Sequence, residues 1–332
     1  MRAMTKGPGS AAAFYVVNVL LFPITFVGYV IWLARIFMVG RTSDASITAQ
    51  GPLSARALMH VLGLRRDDAA HRLLLALPST SRPAVLLAGG PMLLAHRLTG
   101  YVPSAFRYPF EGDVPPQYEA SARVTFVDDA VERHLVDADQ FVVLGAGFDT
   151  RAFRSDGIRC FEVDMPQTQA GKRKLLAEAG IDAGGAVFVP ADFATEDWFA
   201  RLVEAGFDPR RPTVFLWEGV IMYLDRPAVE STLRKIAGTA VGSVVVFDYF
   251  TVEPLRSRSL YWRYGRAATR AAGEPLRFGI DSAPPSRDRL AELLGSCGLS
   301  LAEQRTLGRE TDGKRAWGGF AVATVQAEQG TR

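Results

Sequence analysis

Carboxylates follow four successive apolar runs in the part of the chain after Arg123, and two glycines stand beside the first of them. In FVVLGAGFDTR, Gly145 and Gly147 permit a sharp turn that a ligand can approach closely, and Asp149 follows them. A purely structural turn is the alternative interpretation. The dinucleotide fingerprint G-x-G-x-x-G requires a third glycine where Thr150 stands, and that glycine is absent.

The second apolar run, RCFEVD, supplies two more carboxylates. Glu162 and Asp164 lie about 20 residues after Gly145, the interval at which a carboxylate can accept hydrogen bonds from ribose hydroxyls. Together with the glycine turn, this spacing points to an adenosyl ligand rather than to a pyrophosphate.

The third and fourth runs are each followed by a further acid. Asp192 stands in VPADF and Glu218 in FLWEGVIMYL. Capping of the next helix is the alternative role for each of them. Carboxylates after four successive strands predict a cleft that suits a polar, cationic nucleoside.

The elements that must position these residues are short strands. After Arg123 the chain alternates apolar, largely β-branched or aromatic runs with amphipathic stretches of a length suited to crossover helices. This pattern predicts an α/β fold with a largely parallel sheet, in which ligands bind at the carboxyl ends of the strands. The predicted strands are Phe141–Leu144, Arg159–Val163, Ala186–Val189, Thr213–Trp217, Ser243–Phe247 and Gly319–Val325.

Several segments resemble the leucine carboxyl methyltransferase-like family of class I S-adenosylmethionine-dependent methyltransferases, which includes bacterial O-methyltransferases of secondary metabolism. The resemblance covers roughly residues 120–325, in order, and does not reach the first 118 residues. It implies a Rossmann-like sheet with an antiparallel last strand, helices on both faces, and S-adenosylmethionine as cofactor. The segments are FVVLGAGFDTRAFR, CFEVDMPQTQAGKRKLL, VPADFATEDW, AGFDPRRPTVFLWEGVIMYL and GEPLRFGID.

The resemblance also implies roles for individual residues. Gly145 would lie against the methionine part of the cofactor, and Asp164 would hold the ribose hydroxyls. Asp192 would accept a hydrogen bond from the adenine amino group, with Phe193 against the ring.

The methionine end of the cofactor would be held by charged side chains. Glu218 would sit near the ammonium and sulfonium groups, and Arg123 in SARVTFVDD would pair with the carboxylate through its two-pronged guanidinium. The family uses a second basic residue further upstream, whose counterpart the sequence does not identify. The predicted cofactor-binding residues are Arg123, Gly145, Gly147, Asp149, Asp164, Asp192, Phe193 and Glu218.

Methyl transfer is an in-line displacement, and only a phenol or alcohol acceptor needs a general base. His96 and Tyr249 are the weak candidates for a catalytic role, and a structural role is the alternative for both. The scarcity of bases favours a carboxylate acceptor over a hydroxyl. Arg151 and Arg154 could anchor substrate or form salt bridges, and no metal site is predicted.

The amino-terminal segment is apolar from Ala11 to Ala34, and no acidic residue precedes Asp44. As a helix it would run roughly 36 Å, against a hydrocarbon core of about 30 Å, and Pro23 would kink it without preventing insertion. Tyr15 and Trp32 lie near its ends, with basic residues beyond them. We therefore predict a single membrane anchor, with a helix buried against the protein or a cleaved signal peptide as alternatives. The flanking basic residues are Arg2, Lys6, Arg35 and Arg41.

The chain is accordingly divided into a hydrophobic anchor (1–43), a helical accessory segment that covers the site (44–119) and a methyltransferase domain (120–332). The second apolar run, Ala84–Ala95, is too short to span a membrane and is predicted to be buried or interfacial. The arginine- and aromatic-rich stretch from Tyr249 to Asp281 corresponds, by the resemblance, to an insertion that covers the active site.

Composition limits the partners. The net charge is +3, with 38 basic and 35 acidic residues, and the basic excess lies before Asp44, so the rest of the chain argues against nucleic-acid binding. The two cysteines, Cys160 and Cys297, suggest a reducing compartment. The sequence leaves the oligomeric state open.

These features predict an O-methyltransferase that modifies a carboxylate, or a hydroxyl, of a lipophilic small molecule. The catalytic domain would lie on the cytoplasmic side of a membrane, and a soluble cytoplasmic protein is the alternative. A membrane-tethered nucleoside-binding protein without catalysis and a nicotinamide-dependent oxidoreductase are the alternative functions.

Overall fold

The computed structural model describes residues 8–40, 49–103, 106, 113–114, 118–155, 157–193, 195–311 and 313–327. Its strands are β1 (Gln140–Leu144), β2 (Arg159–Asp164), β3 (Ala186–Pro190), β4 (Thr213–Trp217), β5 (Val244–Phe250), β6 (Ser300–Leu307) and β7 (Gly318–Thr324). They form one sheet in the order β3-β2-β1-β4-β5-β7-β6. The first five strands run parallel, whereas β7 is antiparallel to both β5 and β6. The predicted mostly parallel, Rossmann-like fold is therefore confirmed.

Helices pack on both faces of this sheet. The helices are α1 (Pro8–Leu20), α2 (Phe22–Gly40), α3 (Gln50–Val61), α4 (Asp68–Ala76), α5 (Arg82–Thr99), α6 (Glu119–Leu135), α7 (Pro166–Glu178), α8 (Trp198–Glu204), α9 (Arg226–Ala237), α10 (Val252–Arg256), α11 (Leu260–Ala271) and α12 (Ser286–Ser296). On β1, Phe141 and Val143 pack with α6, whereas Val142 and Leu144 belong to the core shared with α8, α9 and α12. Strands buried on both faces must be apolar throughout, which explains the continuous apolar runs.

The connection from β1 to β2 differs from the prediction of a crossover helix. It contains only a 3-10 turn, Arg151–Arg154. The accessory helices occupy the adjoining space, where Leu53 of α3 and Leu73 of α4 share a core with Phe148 and with Leu175 of α7. The accessory segment is thus packed against the sheet domain next to the first strand end.

The amino-terminal apolar segment is bent close to Pro23, where the sequence predicts a kink. The apolar segment forms α1 and α2, which meet at an angle of 61°. Pro23 lies at the start of α2 and lacks the N–H that would continue the hydrogen bonding of α1. Within the described ranges no single helix is long and apolar enough to cross a membrane, although the bent pair together meets that criterion by length and composition. The flanking Arg2, Lys6 and Arg41 lie outside the described residues.

The bent pair packs against α5, the helix that contains the second apolar run. A Cβ atom on Gly28 would come within 2.4 Å of the backbone nitrogen of Ala88, so α2 and α5 touch at backbone distance. Phe14 of α1 is buried, with its ring centroid 5.2 Å from that of Tyr101. The outer faces remain exposed, and Val19 and Leu20 are each 72% accessible. The alternative of a helix buried against the protein therefore holds for one face only.

Candidate functional site

A cavity of about 240 Å³ lies at the carboxyl ends of β1, β2, β3 and β4. All eight predicted cofactor-binding residues line it. The accessory segment adds Ala49, Pro52 and Arg56, and the chain after β4 adds Tyr223, Leu224 and Glu274. The prediction that residues 44–119 reach the site thus agrees with the structure, although the proposed domain boundaries stay predictions.

The glycine turn after β1 depends on the absence of side chains. Gly145 has a φ of +67°, and a Cβ atom there would lie 2.3 Å from Cγ2 of Val220. Gly147 has a φ of +41°, and its Cβ would lie 3.1 Å from Cβ of Ala49. Both positions therefore need glycine for conformation and for the close approach of neighbouring elements.

Asp164 is the carboxylate of β2 that faces the cavity. Its Oδ2 accepts a hydrogen bond from the backbone N–H of Gly147 at 2.6 Å, and its Oδ1 accepts one from Met165 at 2.7 Å. Burial raises the pKa of Asp164, and these two backbone donors partly oppose that rise.

Glu162 lies on the same face of β2 as Asp164 but one step deeper in the sheet, since side chains two residues apart point the same way and Asp164 is the last residue of the strand. It is fully buried, its Oε2 lies 2.7 Å from Nζ of Lys172, and burial raises its pKa to about 7. Glu162 does not line the cavity. Of the two ribose candidates that the sequence left open, Asp164 alone faces the site.

Helix capping does not account for Asp192 or Glu218. The cap of α8 is Asp197, whose carboxylate accepts hydrogen bonds from the first backbone N–H groups of that helix. Asp192 instead accepts a hydrogen bond from the Thr195 hydroxyl at 3.0 Å, and Phe193 lies beside Trp198 with 5.7 Å between ring centroids. Glu218 precedes a 3-10 turn without a side-chain cap.

Arg123, on α6, is surrounded by carboxylates. Its Nη1 donates to Oδ2 of Asp248 at 2.8 Å, and its Nε lies 3.5 Å from both Glu119 and Glu218. Burial alone would lower the pKa of Arg123, but the three carboxylates raise it well above its usual range. Arg123 therefore remains positively charged while it lines the cavity.

Arg56, on α3, is a cavity residue that the sequence analysis missed. Its Nη2 donates to the carbonyl oxygen of Phe148 at 2.8 Å, and its Nη1 lies 3.4 Å from Oδ2 of Asp149. One feature of the sequence could have identified it: Arg56 lies on the apolar face of the helical stretch SARALMHVLGL. An arginine on such a face is buried only when a carboxylate or another acceptor pairs with its charge. Arg56 provides a second, upstream basic residue beside the cavity.

Arg151 forms ion pairs with three carboxylates, those of Asp128, Asp149 and Glu218. Its Nε donates to Asp128 at 2.7 Å, and its Nη1 donates to Glu218 at 2.7 Å and to Asp149. Burial would raise the pKa of Asp149, but Arg151 and Arg56 outweigh it and hold that pKa well below its ordinary range. Arg151 is thus a salt-bridge residue, and Arg154 donates to the carbonyl oxygen of Arg66 at 2.8 Å.

Three buried atoms at this end of the cavity make no hydrogen bond to a described residue: Nε of Arg56, Nε of Arg123 and Oε1 of Glu218, of which the last two lie 3.5 Å apart as an ion pair. Two guanidinium donors beside one carboxylate acceptor suit the carboxylate and ammonium of an amino acid. The residues present therefore fit the methionine end of S-adenosylmethionine, and Asp164, Asp192 and Phe193 lie where the nucleoside would extend.

Residues 113–237 match the family model described as leucine carboxyl methyltransferase. This part of the chain is similar to the leucine carboxyl methyltransferase family. All eight predicted cofactor residues fall within the matched segment, whereas Arg56 and Asp248 lie outside it.

Curated relatives match a similar region. A protein of Mycolicibacterium smegmatis is 40% identical over 147 residues, covering 43% of this chain and 45% of the relative. A protein of Streptomyces avermitilis is 35% identical over 167 residues, covering 49% and 56%. Both names propose an S-adenosyl-L-methionine-dependent methyltransferase. The chain thus spans about half the length of these relatives.

Among solved structures, an O-methyltransferase family protein of Burkholderia thailandensis is 15% identical, with a TM-score of 0.42. The similarity covers 64% of this chain and 62% of that one.

The two weak catalytic candidates lie away from this cavity. Tyr249 is buried, its hydroxyl accepts a hydrogen bond from Nε2 of Gln304 at 2.6 Å, and burial raises its pKa to about 12. His96 lies in the last turn of α5, where its Nδ1 donates to the carbonyl oxygen of Tyr101 at 2.9 Å. Neither residue lines the cavity.

We expect Tyr249→Phe to leave methyl transfer unchanged and to lower the free energy of unfolding by about 1 kcal/mol, because it removes one internal hydrogen bond. Urea denaturation and a methyl-transfer assay measure the two effects. Gln304→Leu is the matched variant, since it removes the same bond from the other side. A rate lowered tenfold or more in Tyr249→Phe alone would show that the tyrosine acts in catalysis.

Three side chains of the accessory helices come close enough to hold a metal: His60, Asp68 and His71 place ligand atoms within 4.8 Å of one another. Nδ1 of His60 accepts a hydrogen bond from the backbone N–H of Asp67 at 3.1 Å, which leaves the proton on Nε2 in the neutral ring. Asp68 pairs with Arg72 at 2.7 Å. These partners disfavour metal binding.

Proposed function

We propose that the chain is an S-adenosylmethionine-dependent O-methyltransferase acting on a carboxylate of a lipophilic small molecule. One observation carries the proposal: the eight predicted residues and Arg56 line a single cavity, at one end of which buried guanidinium and carboxylate atoms make no hydrogen bond to a described residue. The names of the Mycolicibacterium and Streptomyces relatives support the same cofactor.

When bound, S-adenosylmethionine supplies an activated methyl group, so the protein needs only to bind, orient and exclude water. In this proposal Arg56 and Arg123 bind the amino-acid carboxylate and Glu218 the ammonium group. Asp164 accepts hydrogen bonds from the ribose. These contacts fix the position of the sulfur relative to the remaining cavity wall.

That remaining wall includes Tyr223, Leu224 and Glu274, which would face the acceptor. Neither histidine nor cysteine lines the described part of the cavity. A carboxylate acceptor is ionised at neutral pH and needs no base, which favours it over a hydroxyl. For a hydroxyl acceptor, Glu274 would be the cavity carboxylate available as a base.

We also propose that α1 and α2 attach the protein to a membrane. Their outer faces expose large apolar side chains, among them Val19, Leu20, Phe22 and Phe26. A contiguous apolar surface of this kind on one side of a molecule marks an interaction surface. Extraction of host membranes with alkaline carbonate tests the attachment, and quantitative release of the protein would contradict an inserted helix pair.

The cofactor assignment is tested by calorimetric titration with S-adenosylmethionine and S-adenosylhomocysteine, with NADH as the competing ligand. We expect the wild type to bind both adenosyl compounds and not NADH. Asp164→Ala should weaken binding about 10- to 100-fold, because it removes charge-assisted hydrogen bonds to the ribose.

Asp182→Ala is the matched control, since Asp182 is an exposed aspartate whose carboxylate only accepts a hydrogen bond from the backbone of Gly184 at 2.8 Å. A folded wild type that binds neither adenosyl compound would overturn the proposed function.

A further inference from the structure

Helix α11 presents an apolar face that no described element covers. Leu260, Tyr261 and Tyr264 are 79%, 58% and 63% accessible, and the helix has no buried residue at all. At helical spacing these three side chains lie on one face together with the small residues of the helix.

The opposite face of α11 packs against and hydrogen-bonds to neighbouring elements, so the orientation of the exposed face relative to the rest of the protein is fixed. The indole of Trp262 lies 5.8 Å from the ring of Phe250 and 5.4 Å from that of Trp317, measured between centroids. The guanidinium of Arg266 donates to the carbonyl oxygens of Pro254 at 2.6 Å and Ser257 at 2.8 Å.

The exposed face belongs to a helix that borders the cavity. Helix α11 ends at Ala271, and Glu274, three residues later, lines the cavity itself.

The charges of α11 complement an anionic surface. Arg263 and Arg270 are exposed and lie together at one edge of the apolar face. Neither takes part in an ion pair with any described residue. A helix with aromatic residues on one face and arginines along its border is typical of helices that lie in the headgroup region of anionic membranes.

We infer that α11 is a second membrane contact, which lies in the headgroup region of an anionic bilayer beside α2. This inference rests on the proposed attachment through α1 and α2. It places the cavity next to the lipid surface, so that an amphiphilic acceptor passes from the bilayer into the site without crossing water.

A fluorescent label on α11 tests this placement. Cys160 and Cys297 are buried, so an environment-sensitive thiol dye on the full chain with Tyr264→Cys reports on α11. We expect a blue shift of its emission with phosphatidylcholine vesicles that contain phosphatidylglycerol. The same dye on Arg289→Cys, an exposed position of α12, should not respond.

Removing the arginines tests the charge requirement. Arg263→Gln with Arg270→Gln should weaken partition onto anionic vesicles on the order of 10-fold. The exposed pair Arg287→Gln with Arg289→Gln on α12 is the matched control and should have little effect.

A third dye position, Val30→Cys on α2, separates the outcomes. A response at position 30 without one at position 264 would overturn the contact through α11 while leaving the membrane attachment intact. No change in dye emission at either position would contradict the membrane attachment itself. Calorimetric binding of S-adenosylmethionine would still test the enzyme function separately. A shift at position 264 that grows with protein concentration in the absence of vesicles would identify a second copy of the chain as the occupant, and would also overturn the inference.

Discussion

Gly145→Leu is expected to abolish binding of S-adenosylmethionine, with a loss of affinity of more than about 100-fold. A side chain at this position would begin 2.3 Å from Cγ2 of Val220 and would extend into the cavity. The left-handed backbone of Gly145 adds strain for any other residue. Calorimetric titration of the purified variant measures the loss.

Gly157→Leu distinguishes the effect of blocking the cavity from the effect of backbone strain. Gly157 also has a positive φ, of +78°, but a Cβ atom there meets nothing within 4 Å. We expect this variant to lose some stability and to keep its affinity. If Gly145→Leu remains folded by circular dichroism and binds the cofactor as tightly as the wild type, the cavity is not the cofactor site.

Arg151→Met is expected to lower the free energy of unfolding by about 3–5 kcal/mol, because it leaves buried carboxylates without their cation. Arg151 is only 3% exposed and pairs with Asp128, Asp149 and Glu218. Methionine fills a comparable volume, so the loss reports the charge rather than a cavity. Urea denaturation at neutral pH provides the measurement.

The cost of Arg151→Met should shrink as the pH falls. In the wild type the pKa of Asp149 lies below its ordinary range, so its stabilising effect is present above the unfolded pKa and is lost as the pH falls through the folded pKa. In the variant, burial without Arg151 raises that pKa, and protonation then relieves the strain at mildly acidic pH. The difference in unfolding free energy between the two proteins therefore increases with pH.

Arg154→Met is the control for this substitution. Arg154 belongs to the same 3-10 turn, but its side chain is 30% exposed and bonds chiefly to a backbone carbonyl. We expect its loss to cost less than about 1 kcal/mol. Equal destabilisation by both variants would contradict a central role for the buried ion pairs around Arg151.

The strands of this fold were readable from the sequence because the central strands are buried on both faces. The apolar runs gave β1 to β5 and β7 to within a few residues. Strand β6 was missed, since it lies at the edge of the sheet and contains Glu303, Gln304 and Arg305, which a buried strand would exclude.

Within the candidate site, the sequence predicted mainly the residues that directly follow the ends of the strands. Spacing from Gly145 could not distinguish Glu162 from Asp164, because both lie on one face of β2 and the choice depends on the exact residue at which the strand ends. Arg56 could not be placed, since its approach to Asp149 arises from the packing of α3 against the turn after β1, 93 residues further along the chain. Pro23 made the bend between α1 and α2 predictable, whereas local hydropathy does not describe the packing of both helices on α5.

The ion pair between Arg56 and Asp149 joins the accessory segment to the cofactor cavity. Any ligand that engages Arg56 from the cavity therefore favours the docked position of α3. By thermodynamic reciprocity, anything that holds the accessory helices in place raises the affinity for that ligand by the same factor. Because α2 packs on α5 of this same segment, attachment at the membrane and occupancy of the cavity become linked equilibria rather than independent events.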